Sequence, residues 1–497
     1  MTTIAQQGEV IPDLDIGRIE ELTSASAVPD RSRVADILDR ARTRSGLDLD
    51  ETADLLRISD PELKEGVFAA ARAVKEGIYG RRMVLFAPLY ASNECSNNCL
   101  YCAFRRDNTD LRRRTLTMPE IAEETRILEE EGHKRVLLVL GESQRSAVEY
   151  AVEAVRTVYE TRSERPVGHT LREACACAAS VAGGVHEPRP QVGEIRRVNV
   201  NMAPMTTEQF GELKGAGIGT YQCFQETYHP QQYAYLHPSG AKANYGWRLS
   251  VFDRAMASGI DDVGLGVLYG LYDYRFDTLA LLAHAHYLDE RYGVGPHTIS
   301  FPRIEPAQNA PAAESIPYPV SDAEIMLVVA AIRLSCPYTG MIMTTREAPA
   351  LRRQLLGLGV SQLSAGSRTY PGAYADGRAH VEEAEQFAIG DTRPPDLVIR
   401  ELAESGYIPS FCTACYRLGR TGHAFMDKAK PGDIQSFCTP NAILTFQEYL
   451  CDYASPETRA AGERVIAEGL AEVLPSLRPT VDARLASIRA GERDLYL

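Results

Sequence analysis

Three cysteines, Cys95, Cys99 and Cys102, stand in the run Cys-Ser-Asn-Asn-Cys-Leu-Tyr-Cys with the spacing C-x3-C-x2-C. Three thiolates can hold three irons of a four-iron cubane and leave the fourth iron without a protein ligand. Such a vacancy suits S-adenosylmethionine (SAM), whose amino and carboxylate groups chelate iron, so that an electron from the cluster enters the sulfonium and releases a 5′-deoxyadenosyl radical. Tyr101, just before the last cysteine, is placed to pack against adenine. A structural zinc site is the alternative, but it takes four protein ligands and this loop offers no fourth Cys or His.

A second group, Cys412-Thr-Ala-Cys415 followed by Cys438, again supplies three thiolates. An open cluster, a zinc module with His423 as fourth ligand, and simple packing cysteines are all compatible with this spacing. Cys175, Cys177, Cys223, Cys336 and Cys451 are scattered and read as small hydrophobes without a role. The first forty residues have no basic start followed by an apolar stretch, and no apolar run approaches bilayer length, so a cytoplasmic protein without a membrane role is expected. Fifty-three basic against 67 acidic residues give a net charge of −14, which argues against a nucleic-acid partner.

The elements that must position these residues are legible as period. Eight strand-like apolar runs alternate with helical stretches: Arg82 to Asn93, Arg135 to Gly141, Arg196 to Pro204, Gly219 to Thr227, Asp261 to Gly270, His297 to Ile304, Thr339 to Glu347 and Val360 to Ser367. Helices are expected between them over Pro119 to Glu131, Thr207 to Ala216, Phe276 to Arg291 and Ser321 to Leu334. The pattern predicts an α/β fold, a (β/α)8 TIM barrel over residues 81–370, with a surface insertion near 164–193. A helical N-terminal extension (1–80) precedes it, and a small, mainly helical module (371–497) follows, carrying the second cysteine group and a final helix near Pro456 to Leu474.

The first cysteine group then follows the first strand, at the barrel end where active sites sit. Gln225 and Glu226, ending the fourth strand, and Arg303, ending the sixth, face the same mouth and are candidates to bind SAM or substrate. Arg346 ends the seventh strand, where a guanidinium can clamp a carboxylate in two-point fashion. For each of these a rim salt bridge is the competing role. Gly264 and Gly266 either let the backbone approach the nucleoside or relieve crowding inside the barrel.

Several separated blocks carry a resemblance: FAPLYASNECSNNCLYC, EEEGHKRVLLVLGES, IRRVNVN, FQETYH, GIDDVGLGVLYGLYDY, GVGPHTISFPRI, PYTGMIMTTRE, FCTACYRLGRTG and FCTPNAILTF. From about Arg82 to Tyr453 the sequence resembles the HydG family, the tyrosine-cleaving radical SAM maturases of [FeFe]-hydrogenase. The related tyrosine lyases of thiamine biosynthesis share the barrel and the first cysteine group but lack the C-x2-C-x22-C module. The resemblance implies cleavage of L-tyrosine to para-cresol and dehydroglycine, and conversion of the latter to carbon monoxide and cyanide for the hydrogenase H-cluster. It further implies an auxiliary [4Fe-4S] cluster carrying an additional iron, a [5Fe-5S] assembly with bound cysteine. Partners would be other maturation proteins and an electron donor.

On the same resemblance Glu142 would contact the SAM amino group, Arg346 would anchor the tyrosine carboxylate, and His297 would bind the additional iron at the opposite mouth. Without it His297 reads as a strand-end histidine with a backbone partner, and His284 and His286 read as packed or exposed helical residues. A continuous internal tunnel is expected between the mouths. Arg368 and His423 depart from the family pattern, as does the length of the insertion. Two rival functions stay open: a tyrosine lyase supplying another pathway such as thiazole formation, and a non-catalytic iron-sulfur scaffold.

Overall fold

The computed structural model describes residues 11–143, 147–165, 191–377 and 381–497. Eleven strands follow in chain order among these residues: β1 Arg82–Ser92, β2 Arg135–Leu140, β3 Ser163–Arg165, β4 Gln191–Gly193, β5 Arg197–Asn201, β6 Tyr221–Gln222, β7 Val263–Gly266, β8 Thr298–Ser300, β9 Gly340–Met343, β10 Gln362–Ser364 and β11 Ile408–Ser410. All the strands except β3 and β4 join one sheet, and its pairs are all parallel. The pairing of β10 with β1 closes it into an eight-stranded barrel, with Val84 opposite Gln362 and Phe86 opposite Ser364. Each of the eight apolar runs in the sequence contains one barrel strand. The fourth shrinks most, to two residues; beyond it Cys223 and Gln225 still donate to the Gly264 and Gly266 carbonyls, and Glu226, with a left-handed φ of 73°, makes an isolated bridge to Val267.

Return helices begin on reciprocal caps that satisfy their free amides. Thr117 and Glu120 start Met118–Glu130, Thr206 and Gln209 start Thr207–Gly215, and Ser321 and Glu324 start Asp322–Ser335. Before the barrel run four helices, Ile16–Ser24, Arg31–Arg42, Leu49–Leu56 and Pro61–Tyr79, within the expected helical extension. The antiparallel pair β3 and β4 closes the base of the expected insertion, whose residues 166–190, with Cys175 and Cys177, lie outside the described residues.

The C-terminal segment, expected as a small module of its own, is joined to the barrel sheet. Its strand β11 pairs with the start of β1, Ile408 opposite Arg82 and Ser410 opposite Val84. One apolar core contains Ile37 and Val67 from the extension, Leu85 and Ile332 from the barrel, and Ile443 and Val465 from the C-terminal helices. A buried ion pair adds to the junction: Arg196, just before β5, donates to both Glu448 oxygens from helix Gln435–Asp452, at 3.2 and 2.6 Å. Burial alone would raise the Glu448 pKa, but Arg196 holds it below the usual carboxylate range.

Truncating one partner strands the other charge, which costs about 3–5 kcal/mol in buried pairs. Arg196 has further partners in Glu194 (2.9 Å) and Asp494 (3.2 Å), whereas Glu448 without Arg196 keeps Lys134 at 4.0 Å as its only cation among the described residues. Arg196→Ala should therefore lower stability by about that amount in chemical denaturation, whereas cutting the exposed pair with Arg353→Ala, partner of Glu401, should cost under about 1 kcal/mol.

Candidate functional site

At the C-terminal mouth of the barrel the loop after β1 is held from four sides by backbone hydrogen bonds. The Ser96 amide donates to the Glu142 carbonyl (2.7 Å), Asn98 to Ser239 (3.1 Å), Leu100 to Leu236 (3.0 Å) and Ala103 to Gln386 (3.2 Å). The loop also presses on Gly141, where a Cβ would come within 2.4 Å of the Glu94 carbonyl oxygen; only glycine leaves that space. Cys95, Cys99 and Cys102 thereby line one cavity of about 200 Å³. Burial pushes the Cys99 thiol up to about 12, so metal ligation must strip its proton.

The same cavity gathers Tyr101, Glu142, Glu226 and Arg346. The Tyr101 hydroxyl lies 2.7 Å from His237 Nε2, and His237 Nδ1 donates to the Tyr233 carbonyl, so the phenol donates to the imidazole while its ring faces the cavity. Glu142 accepts from Asn97 Nδ2 at 2.7 Å. Glu226 is held in its left-handed conformation with Lys242 Nζ donating to Oε1 at 2.6 Å. A strained backbone of this kind persists only where its surroundings impose it, and such positions cluster at functional sites. Arg346 has its guanidinium 3.3 Å from the Phe387 ring centroid and no ion-pair partner among the described residues. Burial lowers its pKa, opposed by Tyr90, Glu226 and Glu305. It is a cation ready for an incoming carboxylate.

Four candidates do not join them. Arg303 ends in a two-point pair with Glu347, Nε to Oε1 at 3.0 Å, and a bond to the Val320 carbonyl, so its donors are spent on structure. Gln225 is buried beside the cavity without lining it, as expected where successive strand-end residues alternate in direction. A Cβ on Gly264 would meet Thr298 Oγ1 at 2.5 Å, and one on Gly266 would meet Phe224 at 2.4 Å; both glycines relieve crowding between strands and neither borders the cavity. Lys242, Arg248, Gln386 and Phe387 do border it. Sequence reasoning passed over them because they sit after the barrel strands, on segments with no period to read.

At the opposite mouth a second cavity, of about 50 Å³, brings Cys412, Cys415, Cys438 and His297 together with Arg82 and Arg135. His297 directly precedes β8; its Nδ1 lies 3.8 Å from Asp262 and its Nε2 3.5 Å from the Tyr416 hydroxyl. Arg135 donates to the Cys412 carbonyl at 2.9 Å, and the buried Nε atoms of Arg82 and Arg135 have no hydrogen-bond partner among the described residues. Burial pushes the Cys415 thiol up to about 12, the neighbouring cysteines adding to it. His284 is buried against Tyr228, and neither it nor His286 lines this cavity. His423 does not line it either, so it stands apart as a fourth ligand for zinc. Among the described residues no three His, Cys, Asp or Glu side chains converge on a single metal-ion position. The thiols of each trio line one cavity.

The two cavities are separate but adjoin. Inward positions of β1 run Arg82 and Val84 to the second cavity, then Phe86, Pro88 and Tyr90 to the first. β10 divides between Gln362 and Ser364 in the same way, so two distinct cavities stand where a continuous tunnel was expected.

The radical SAM superfamily model matches residues 89–284, and that of the biotin and thiamin synthesis associated domain matches 300–408. A 2-iminoacetate synthase from Escherichia coli is 30% identical over 75% of this chain and 89% of its own. A crystal structure of HydG, a maturase of the [FeFe]-hydrogenase, is 45% identical and covers 98% of this chain and 99% of its own with a TM-score of 0.87. Another HydG structure, from Carboxydothermus hydrogenoformans, is 37% identical over 95% of this chain and 97% of its own, with a TM-score of 0.76.

Each thiol trio should load independently. After anaerobic reconstitution, Cys102→Ala and Cys438→Ala should each keep roughly half of the iron and sulfide of the parent, as expected of two four-iron clusters of which one is lost; elemental analysis reads this directly.

Proposed function

Since this chain belongs to the radical SAM superfamily, in the HydG-type branch, we propose that it cleaves L-tyrosine to para-cresol and dehydroglycine, and turns the latter into carbon monoxide and cyanide for [FeFe]-hydrogenase assembly. The observation that carries this reading is the pairing of two thiol-lined cavities on one barrel, back to back along the same strands. The similarity to the HydG structure leaves only about ten residues of this chain unmatched, fewer than separate Cys412 from Cys438, so it extends into the second thiol group. The family models stop at residue 408, before that group begins.

When bound at Cys95, Cys99 and Cys102, a [4Fe-4S] cluster with SAM supplies a 5′-deoxyadenosyl radical. The residues of the chain then bind and orient. Glu142 offers a carboxylate to the SAM amino group, and the face of Tyr101 offers a surface to adenine. Arg346 clamps the tyrosine carboxylate; its seat on Phe387 fixes the plane of the guanidinium. Apolar walls from Phe86, Leu137, Val139 and Leu268 keep water from the reacting centre. At the second mouth Cys412, Cys415, Cys438 and His297 would hold the auxiliary cluster and its additional iron.

Anaerobic assay with tyrosine, SAM and reductant tests the reading: para-cresol with carbon monoxide and cyanide is expected. Dehydroglycine without the diatomics would make the protein a lyase for another pathway, and no SAM turnover would make it a scaffold. Arg346→Lys keeps charge but loses the planar fork, so the tyrosine KM should rise at least about tenfold, the loss of one good charge-assisted contact. His297→Ala should spare para-cresol formation while abolishing capture of the diatomics on iron; loss of both would remove His297 from this role.

A further inference from the structure

The chain leaving the barrel folds back over the first mouth and touches the cysteine loop through one side chain. Gln386 Nε2 lies 3.5 Å from Cys102 Sγ, and the Tyr90 hydroxyl donates to Gln386 Oε1 at 2.8 Å. The two contacts fix which way the amide points. A ligating thiolate only accepts, so the NH2 end must face sulfur, and the carbonyl end then faces the phenol as acceptor. The backbone repeats the grip: the Gln386 carbonyl accepts from the Ala103 amide (3.2 Å), and the Gln386 amide donates to Thr369 (3.0 Å). Tyr90 itself is fixed on β1, buried, with its ring edge-on to Phe104 at 6.0 Å between centroids. The side-chain amide is not needed to hold Cys102 in place, since backbone bonds already tie the loop at Ser96, Asn98, Leu100 and Ala103.

Hydrogen bonds to cluster sulfurs are one of the terms that set reduction potential. A donor on a ligand thiolate favours the reduced cluster, which carries one more negative charge, and it acts strongly in a buried site. We propose that Gln386, oriented by Tyr90, is a positioning residue that raises the reduction potential of the cluster on Cys95, Cys99 and Cys102. The proposal rests on the cluster reading given under Proposed function. The next residue, Phe387, carries the Arg346 guanidinium, so one short segment serves the electron-accepting centre and the substrate anchor side by side.

The test compares midpoint potentials of the reconstituted full-length protein, measured by EPR at poised potentials in the Cys438→Ala background so that only the first cluster contributes. Gln386→Leu, similar in size and without a donor, should shift the potential negative, and Tyr90→Phe should shift it the same way by less. Phe387→Leu should leave the potential unchanged while raising the tyrosine KM in the protein with both clusters. Iron content equal to the parent shows that the variants fold and load. Equal potentials in the parent and Gln386→Leu would overturn the proposal alone; a parent with no reducible cluster would overturn the proposal together with the reading beneath it.

Discussion

Everything in this molecule depends on the closure of eight parallel strands by the pairing of β10 with β1. In a closed parallel barrel alternate residues point inward, and all strands run the same way, so every strand has one end at each mouth. β1 shows what this permits: Arg82 and Val84 serve one cavity and Phe86, Pro88 and Tyr90 the other, while the cysteine loop hangs from its far end. From Arg82 to Tyr90 is roughly 26 Å of strand at about 3.3 Å per residue. Two thiol-lined cavities can therefore be kept apart along the length of one strand and still share a barrel.

The two mouths solve the same electrostatic problem differently. Thiolates gathered in a buried space need compensating charge, because a low-dielectric site penalises like charges. At the second mouth the compensation is guanidinium: Arg82 and Arg135 border the thiols, with Arg197 stacked on Tyr416 beside them at 3.7 Å from the ring centroid. At the first mouth Lys242 and Arg248 are nearby cations, but Lys242 is engaged by Glu226 and Arg248 by the Phe224 carbonyl and Glu226, which leaves Arg346 as the cation with room for a ligand's negative group. Fixed cations at one site and a free one at the other correspond to a place that holds charge permanently and a place that receives it.

What the sequence made legible follows from period and spacing. Hydrophobic alternation located all eight barrel strands and the principal return helices, and the cysteine spacings located both thiol groups, because each of these is a local pattern imposed by one element. The place of His297 at the second cavity has no local signal, since a single histidine before a strand has no pattern of its own. Arg303 and Gln225 went wrong for a geometric reason: placing a residue at a strand end does not say which way it points or whether a neighbour such as Glu347 has already claimed it. Lys242, Arg248 and Gln386 stayed invisible because they reach the cavity from short helical turns or irregular chain too brief to show a period, where the fold and not the local sequence decides proximity. β11 escaped for a related reason. Three residues, Ile-Pro-Ser, make no strand pattern, and they pair only because the free edge at the start of β1 is there to receive them.

That unpatterned chain after the barrel also carries most of what distinguishes this protein from a bare radical-generating barrel. A single continuous segment first crosses the C-terminal mouth, where Gln386 meets Cys102 and Phe387 seats Arg346. It then runs to the opposite end, pairs β11 with β1 and delivers Cys412 and Cys415 immediately afterwards. Helix Gln435–Asp452 returns Cys438 to the same cavity and is itself tied to the barrel through Glu448 and Arg196. Because β11 is hydrogen-bonded to the very strand that bears the first cysteine loop, the spacing of the two thiol groups is set by backbone geometry and not by a flexible linker. A domain merely tethered to the barrel could bring three cysteines near the second mouth; pairing in the sheet fixes where they stand relative to His297 and to the shared barrel.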